Sequence, residues 1–153
     1  TLIGGLGDDT LEGGAGADIF QWNASNESDN NSDIITDYTD GQDKIHLNLS
    51  ETLYLNSNTS LFSGVAGSLR WLDDPQSTQS EVLVEIDFGT DLVSDFTIHL
   101  SNSTGVNVNN IDTSDFIFHK VVGSSADETL TGSADTDDTI EGGLGADNID
   151  GGS

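Results

Sequence analysis

A pattern of nine residues is repeated in direct succession near the start of the chain, over 4–12 and 13–21. Each copy has glycine at positions one, two and four, aspartate at position six and a bulky apolar residue at position eight. Repeats of this form stack as turns of a parallel β-helix, because a single copy has no partner against which to bury its apolar side chain. The pattern therefore predicts short strands, at positions seven to nine, that are joined by glycine-rich turns.

The same pattern returns towards the other end of the chain. One full copy spans 142–150, and imperfect copies span 123–131 and 132–141. The first imperfect copy has Glu128 where aspartate is expected, and the second has one residue too many, which leaves Asp138 at position six. A flexible Gly/Asp linker has no reason to keep an apolar residue at a fixed position, so we expect ordered turns.

The residues at the fixed positions suit a hard divalent cation. A turn that aims several carbonyl groups at one ion needs backbone angles that glycine reaches without steric cost. Calcium takes six to eight oxygen ligands, so the carbonyl groups would be completed by the carboxylate at position six. That position is held by Asp9, Asp18 and Asp147.

The composition of the chain also requires cations. Its 153 residues include three Lys or Arg and 28 Asp or Glu, which leaves a formal net charge of −25. Such a charge repels nucleic acid and anionic membranes and opposes collapse of the chain, so we expect counter-ions in the folded state. The absence of cysteine excludes disulfides and thiolate metal sites.

The segment between the repeats has the alternation of half-buried strands. Within 81–88 every second side chain is apolar and lies on one face, and 96–100 and 116–118 alternate in the same way. No stretch has the period of a helix, so we expect an all-β chain. In the repeats, the apolar side chains at position eight are expected to point into a core shared by neighbouring turns: Leu11, Phe20 and Ile149.

Four aspartates crowd one turn between two strand-like runs, 33–38 and 44–49. The dipeptide Asp40-Gly41 between such runs predicts a β-hairpin. Aspartate also favours turns through hydrogen bonds to nearby backbone groups. Asp37 and Asp43 are therefore candidates both for metal ligands and for ordinary turn residues.

Other groups of titratable residues lack the spacing of a known site. Asp87, Asp91 and Asp95 are a candidate for a separate ion site, but they lack the spacing and the glutamate of an EF-hand. A zinc protease needs two histidines one helical turn apart with a glutamate between them. The histidines of this chain are far apart and are expected at the surface or on edge strands: His46, His99 and His119.

Intrinsic catalysis is not expected in this segment. It has neither a cysteine nor a G-x-S-x-G motif to supply a nucleophile. A carboxylate pair of the glycosidase kind stays open, because 28 acidic residues produce close pairs by chance.

These features divide the chain into three predicted parts. Residues 1–22 are expected to be the end of a first repeat array, 23–120 a β-rich capping region, and 121–153 the start of a second repeat array. Because the sequence begins and stops part-way through a repeat, we expect it to be a segment of a longer protein.

A set of stretches, taken together, carries a resemblance to known families. They are 16–20, 33–38, 41–45 with Leu47, 62–71, 95–100 and 114–117. The nonapeptides resemble those of RTX (repeats-in-toxin) proteins. The middle of the chain is similar to the C-terminal module of serralysin-type secreted metalloproteases and to the R-modules of secreted mannuronan (alginate) epimerases. The fold implied is all-β, a right-handed parallel β-roll capped by a β-sandwich-like region.

In that fold two nonapeptides make one full turn, and each calcium ion lies between loops two repeats apart. The resemblance implies that carboxylates and backbone carbonyl groups of both arrays bind calcium, and that the aspartates at 37 and 43 close the last sites against the cap. The implied metal-binding residues are Gly5, Gly7, Asp9, Gly14, Gly16, Asp18, Asp37, Asp43, Asp127, Asp138, Gly143, Gly145 and Asp147. The loop at Gly123 is expected to stack on the loop at Gly142, although Ser124 and Ala126 replace glycines there.

The residues and the resemblance together imply a non-catalytic calcium-binding module of a secreted bacterial protein. It is expected to leave the cell by type I secretion, to fold on binding Ca²⁺ outside, and to stabilise or position an attached domain. Its expected partners are calcium ions and neighbouring domains of the same chain, in a monomer without nucleic acid or membrane insertion.

Two alternatives stay open. One is an accessory module that binds a polysaccharide such as alginate for an attached enzyme, and the other is a spacer in a large RTX adhesin. Lys44, Arg70 and Lys120 are the only Lys or Arg residues, which argues against strong binding of alginate without bridging calcium. Any enzyme activity is expected in an attached domain, an alginate epimerase or a metalloprotease.

Overall fold

The computed structural model describes residues 1–23, 31–56, 61–77, 81–101, 110–134 and 138–152. These residues form short β-strands and one 3₁₀ turn, Thr113–Asp115, so the predicted all-β class is confirmed. The strands are β1 (Leu2–Ile3), β2 (Thr10–Leu11), β3 (Ile19–Asn23), β4 (Asn31–Ile35), β5 (Lys44–Asn48), β6 (Leu53–Leu55), β7 (Ser68–Asp73), β8 (Glu81–Asp87), β9 (Phe96–Ser101), β10 (Phe116–Phe118), β11 (Lys120–Val122), β12 (Thr129–Thr131), β13 (Thr139–Glu141) and β14 (Asn148–Asp150).

The chain alternates between two sheets, as the turns of a β-roll do. Sheet A has the order β1-β3-β5-β10, and sheet B has the order β13-β11-β6-β7-β8-β9-β4-β2. Neighbours in sheet A pair in parallel, so a tight turn cannot join them, and the chain returns to sheet A only after passing through a strand of sheet B. The pair β12-β14 continues sheet A through a bridge from Phe118 to Gly132.

Three strands of the middle segment form an antiparallel meander inside sheet B. The pairs β7–β8 and β8–β9 are antiparallel, whereas β6–β7 and β9–β4 are parallel. Strands β10 and β11 then resume the alternation between the sheets, next to β5 and β6. Both sheets therefore run across the predicted boundaries at 22 and 120, and the division of the chain into three parts stays a prediction.

The predicted hairpin at Asp40-Gly41 is wrong. Strand β4 pairs with β2 and β9 in sheet B, and β5 pairs with β3 and β10 in sheet A. The turn between them, in which Gly41 has a φ of 70°, carries the chain from one sheet to the other. The dipeptide predicts only that the chain turns there. Which strands pair with the two flanking strands depends on contacts with residues that are distant in the sequence.

The core lies along the inner faces of both sheets and is rich in aromatic rings. Trp22 packs edge-on against Phe96 with ring centroids 6.0 Å apart, and Trp71 lies 5.4 Å from Phe116. The core side chains are fully or almost fully buried, as the alternation in β8 and β9 predicts: Val82, Val84, Ile86, Phe96, Ile98 and Leu100. Aromatic pairs of this geometry contribute about 1 kcal/mol beyond the burial of their area.

The apolar residues at position eight of the repeats do not all reach the core. Phe20 is fully buried and Leu11 is half-buried against the core, as expected. Ile149 pairs in register with the fully buried Leu130 and so points to the same face, but it is 48% exposed and does not reach the burial that was expected. Strand β14 is the edge of its sheet within the described residues, so no further turn covers this side chain.

The described part of the chain contains no helix that is long and apolar enough to span a membrane.

Substitution of two adjacent isoleucines of β4 tests which face of sheet B is buried in the core. Ile35 is 0% exposed and Ile34 is 36% exposed. We expect Ile35→Ala to lower the free energy of unfolding by about 2–5 kcal/mol, because it leaves a cavity in the core. The matched change Ile34→Ala should cost about 1 kcal/mol or less. Denaturant unfolding at saturating calcium measures both, and equal losses would contradict the assigned faces.

Candidate metal centres

The turns of the repeats need glycine for two different reasons. Positions two and four have positive φ, such as 99° at Gly5 and 94° at Gly7, which only glycine adopts without strain. At position one φ is not positive, but a side chain lies over the glycine. In the copies that begin at 13, 123, 132 and 142 it is the carboxylate of position six, and over Gly4 it is the ring of Trp22. A Cβ on Gly13 would lie 2.9 Å from Asp18 Oδ2. The sequence interpretation, which assigned every glycine to backbone angles, is therefore wrong for position one, where the requirement is space.

The second turn of the first array is closed by the turn between β4 and β5. The backbone N–H groups of Gly13 and Gly14 donate to the two carboxylate oxygens of Asp37, at 2.9 and 2.7 Å. The N–H of Asp18 donates to Asp43 Oδ1 at 3.0 Å. The structure therefore brings these predicted ligands together on one edge of the roll. The same turn holds Gly16, whose carbonyl oxygen accepts a hydrogen bond from the side chain of the glutamine at position 42.

The first turn of the array carries a buried carboxylate oxygen without a partner. Asp9 Oδ2 is buried and accepts no hydrogen bond, and a Cβ on Gly5 would lie 3.8 Å from it. The N–H of Asp9 donates to Asp33 Oδ1 at 2.8 Å, and Trp22 Nε1 donates to Asp33 Oδ2 at 2.5 Å. Gly7 belongs to this turn and has open space where a Cβ would lie. Asp33, which the sequence marked only as one of several turn aspartates, is fully buried and fixes this turn.

The predicted stacking of two loops in the second array is confirmed. The N–H of Ala146 donates to Asp127 Oδ1 at 2.8 Å, and the N–H of Glu128 donates to Asp147 Oδ1 at 3.1 Å. Each loop therefore supplies a carboxylate that holds a backbone N–H group of the other. Gly143 and Gly145 have positive φ in the upper loop, and a Cβ on either would meet backbone oxygens of the lower loop.

Glu128 carries the inward carboxylate of the lower loop. It is 6% exposed, and its Oε1 accepts a hydrogen bond from the N–H of Ser124 at 3.0 Å. Its Oε2 is buried without a hydrogen-bond partner and would lie 2.7 Å from a Cβ on Gly123. Asp127, by contrast, is exposed. Sequence reasoning treated Glu128 as a departure from the pattern, although its place at position six of the repeat was the signal for its role.

The carboxylate of Asp138 in the second array lies beside the imidazole of His119. Its Oδ1 is 3.2 Å from His119 Nδ1 and 3.4 Å from Ser133 Oγ. Only His119 separates β10 from β11, whereas longer loops join the strands of the repeats. The extra residue of this repeat therefore does not prevent its carboxylate from pointing into the roll, where its side chain is 4% exposed.

Comparison with known protein families agrees with this geometry. Residues 1–118 match the family described as Peptidase M10 serralysin C terminal, and residues 122–153 match the RTX calcium-binding nonapeptide repeat, described as four copies. The first match covers more than half of the 153 residues. The chain belongs to the serralysin C-terminal family. A search among curated proteins found no match.

The donor set of this serralysin-type module fits calcium. The RTX repeats are of the calcium-binding type, and calcium prefers carboxylate and carbonyl oxygens. Buried carboxylate oxygens without hydrogen-bond partners, as at Asp9 and Glu128, are costly unless a cation or a donor meets them. A calcium ion would supply that charge, and the turn carbonyls exposed by the positive φ of the glycines would complete its shell.

The separate candidate ion site of the module lies in the loop after β8. Asp87 is fully buried, its Oδ2 accepts from the N–H of Leu92 at 3.2 Å, and its Oδ1 is buried without a hydrogen-bond partner. Asp95 Oδ2 accepts from the N–H of Gly89 at 3.1 Å. Asp91 belongs to the same loop, and its Oδ1 accepts from the N–H of residue 93 at 3.1 Å. Ion binding by this loop stays a prediction.

Two buried carboxyl groups of the module have perturbed pKa values. Burial raises the pKa of Asp33, and hydrogen bonds from Asp9 and Trp22 offset part of that rise. Burial also raises the pKa of Asp115, and the hydrogen bond from the N–H of Asp112 offsets part of that rise. The same burial raises the pKa of the Tyr38 hydroxyl, which donates to Asp115 Oδ1 at 3.2 Å. Tyr38 and Asp115 tie the 3₁₀ turn to the turn between β4 and β5.

The histidines of the module do not form a protease site. His46 is 8% exposed on β5, between β3 and β10, and His99 lies on β9, between β8 and β4. The prediction of surface or edge-strand positions is therefore wrong for His46. The side chain of His99 is 27% exposed at the surface, although its strand is flanked on each side. The serralysin C-terminal module and the RTX repeats are non-catalytic.

The pH dependence of stability tests the buried Asp115. Its pKa is higher in the folded than in the unfolded chain, so its contribution to stability is fully present below the unfolded pKa, near 3.8, and is lost as pH rises through the folded pKa. Asp115→Asn keeps an acceptor for Asp112 and cannot ionise. We expect the stability of the variant relative to the wild type to rise from pH 4 towards pH 7, by about 1.4 kcal/mol per unit of pKa difference. Denaturant unfolding at saturating calcium measures this rise.

The control is Asp150→Asn, which removes an exposed carboxylate at the other end of the chain. A stability difference between Asp115→Asn and the wild type that stays constant across this pH range would contradict the assignment.

Proposed function

We propose that this chain is a calcium-dependent folding module, which is secreted unfolded by the type I route and folds outside the cell to stabilise or position an attached domain. The observation that carries the proposal is the convergence of carboxylates at stacked turns, with buried oxygens of Asp9 and Glu128 that lack any protein partner. The family matches support the coarser statement, a calcium-binding module of a secreted protein.

The charges of the chain explain why folding should wait for calcium. With 28 acidic and three basic residues, the stacked carboxylates have almost no cations of their own. Lys44 Nζ donates to the carbonyl oxygen of Ser114, Lys120 Nζ to that of Ser50, and Arg70 pairs with Glu85, so all three are engaged elsewhere. Without a divalent ion the turns repel one another, and the glycine-rich chain gains conformational entropy by unfolding.

The energy available from calcium matches the stability of a domain. At free calcium about 100 times the dissociation constant, one site adds about 2.7 kcal/mol if the unfolded chain does not bind. Several such sites supply most of the roughly 5–15 kcal/mol that is typical of a domain. Low cytosolic calcium therefore leaves the chain unfolded and able to thread a secretion channel, and higher calcium outside folds it.

We propose that the predicted ligands bind calcium as a set, with Glu128 added at position six of its repeat. In this arrangement Asp9 and Glu128 present their buried oxygens to the ion, and Asp37, Asp43 and Asp147 also hold N–H groups of the neighbouring turn. One carboxylate can do both, because each oxygen has two lone pairs.

The alternative of polysaccharide binding has less support. An anionic glycan such as alginate would need cations, and the three basic side chains are spread over the chain and bonded within it. Calcium held by the turns would be the only bridge.

A calcium titration followed by far-ultraviolet circular dichroism tests the proposal. We expect a spectrum of disordered chain in excess chelator and a β spectrum at millimolar calcium, with full reversal on adding chelator. A β spectrum that does not respond to chelator would remove the proposal.

Two variants of one repeat make the titration specific. Asp9→Asn should raise the calcium concentration at the midpoint about tenfold, which corresponds to about 1.4 kcal/mol. The reason is that a neutral amide oxygen binds calcium more weakly than the buried carboxylate oxygen that it replaces. The matched change Glu12→Gln removes the same charge three residues later from an exposed side chain, and its midpoint should stay within about twofold. Equal shifts would show that net charge, and not a site, controls folding.

A further inference from the structure

Three side chains that could hold a metal ion converge on the antiparallel meander, away from the glycine turns. Asp74 directly follows β7, Glu81 begins β8 and His99 lies in β9. One ligand atom from each, two carboxylate oxygens and one imidazole nitrogen, can be chosen so that all lie within 4.8 Å of one another. Each of these residues is half-buried, so the atoms are held by the sheet and are still reached by solvent.

The strand register fixes this group. The N–H of Asp74 donates to the carbonyl oxygen of Glu81 at 2.8 Å, just beyond the last pair of the β7–β8 ladder. His99 pairs with Leu83, which places it diagonally from Glu81 across the β8–β9 ladder. Because Val82 points into the core, Glu81 and Leu83 point to the outer face. Two of the ligands therefore stand on the hydrogen-bonded strands β8 and β9, and the third directly follows β7, where its N–H is bonded to the carbonyl oxygen of Glu81.

The separation of the imidazole and the carboxylate is that of two ligands of one ion. His99 Nδ1 and Glu81 Oε1 are 3.6 Å apart, which is too long for a hydrogen bond. Two ligands at zinc bond lengths of about 2.1 Å in a tetrahedral shell are separated by about 3.4 Å. The separation is that of an ion pair when the imidazole is protonated, and it is also close to the spacing of two ligands of one ion.

The charge of the group also lacks compensation from basic side chains. Among the described residues, no Lys or Arg forms an ion pair with Asp74 or Glu81. The only arginine of the sequence, Arg70, is bound to Glu85 at 2.6 Å and lies 3.8 Å over the ring of Phe62. Two carboxylates held this close favour a cation from solution.

We propose that Asp74, Glu81 and His99 bind one zinc-like divalent ion, distinct from the calcium of the turns. An imidazole ligand favours zinc and neighbouring transition metals, whereas calcium takes oxygen ligands. Three protein ligands leave a position for water, and the ion ties together three strands that the repeats do not reach. The site therefore stabilises the meander where the chain has neither disulfides nor a glycine turn to do so.

The test is a zinc titration of the folded chain at saturating calcium, followed by calorimetry. We expect one zinc ion per chain, with the dissociation constant raised at least tenfold in His99→Gln and in Glu81→Gln. The control His119→Gln removes an imidazole that lies beside Asp138 in the second array, and zinc binding should be unchanged. Circular dichroism at the same calcium concentration confirms that each variant is folded before zinc is added.

The ligand shell gives a second readout that does not depend on a variant folding. In the wild type bound to zinc, X-ray absorption should show one imidazole nitrogen with oxygen neighbours. Absence of saturable zinc binding, loss of binding in His119→Gln in place of His99→Gln, or a shell of oxygen alone would each overturn the proposal. None of these results bears on calcium-driven folding, so the two proposals fail separately.

Discussion

The stacking of each glycine turn on the turn two repeats away is the contact on which the rest of the structure depends. Backbone N–H groups of one turn donate to carboxylates of the next, as Gly14 does to Asp37 and Ala146 does to Asp127. The same stacking concentrates negative charge along the edges of the roll in a chain of net charge −25. The contact that builds the roll therefore also creates its demand for a cation, which explains why the repeats combine glycine with aspartate.

The 3₁₀ turn Thr113–Asp115 connects the two arrays along one edge. Tyr38 donates to the carbonyl oxygen of Asp43 and to Asp115, and Lys44 Nζ reaches the carbonyl oxygen of Ser114. On the other side of this turn, the N–H of Thr129 donates to Thr113 Oγ1. The turn between β4 and β5, which is bonded to backbone N–H groups of the first array, is thus linked through the 3₁₀ turn to the second array.

What the sequence predicts well is what depends on neighbouring residues along the chain. The nine-residue period places the strands at positions seven to nine, and the alternation in β8 and β9 identifies their buried faces. The sequence does not predict which strands become neighbours, because that depends on contacts distant along the chain. The hairpin at Asp40-Gly41 fails for this reason, and so does the burial of Ile149, whose strand lies at the edge of its sheet.

The candidate sites show the same limit. The aspartates at position six follow from the period, and so does Glu128 at the same position, whereas the role of Asp33 becomes visible only when two turns are stacked. The reason for glycine at position one is likewise a contact, with the position-six carboxylate in most copies and with the Trp22 ring at Gly4.

The most direct test of this account is diffraction from crystals grown in calcium, collected at a wavelength where calcium scatters anomalously. The account predicts anomalous peaks next to the buried oxygens of Asp9 and Glu128, between ordered turns. Turns that are equally well ordered but show no anomalous peak at either carboxylate would contradict it.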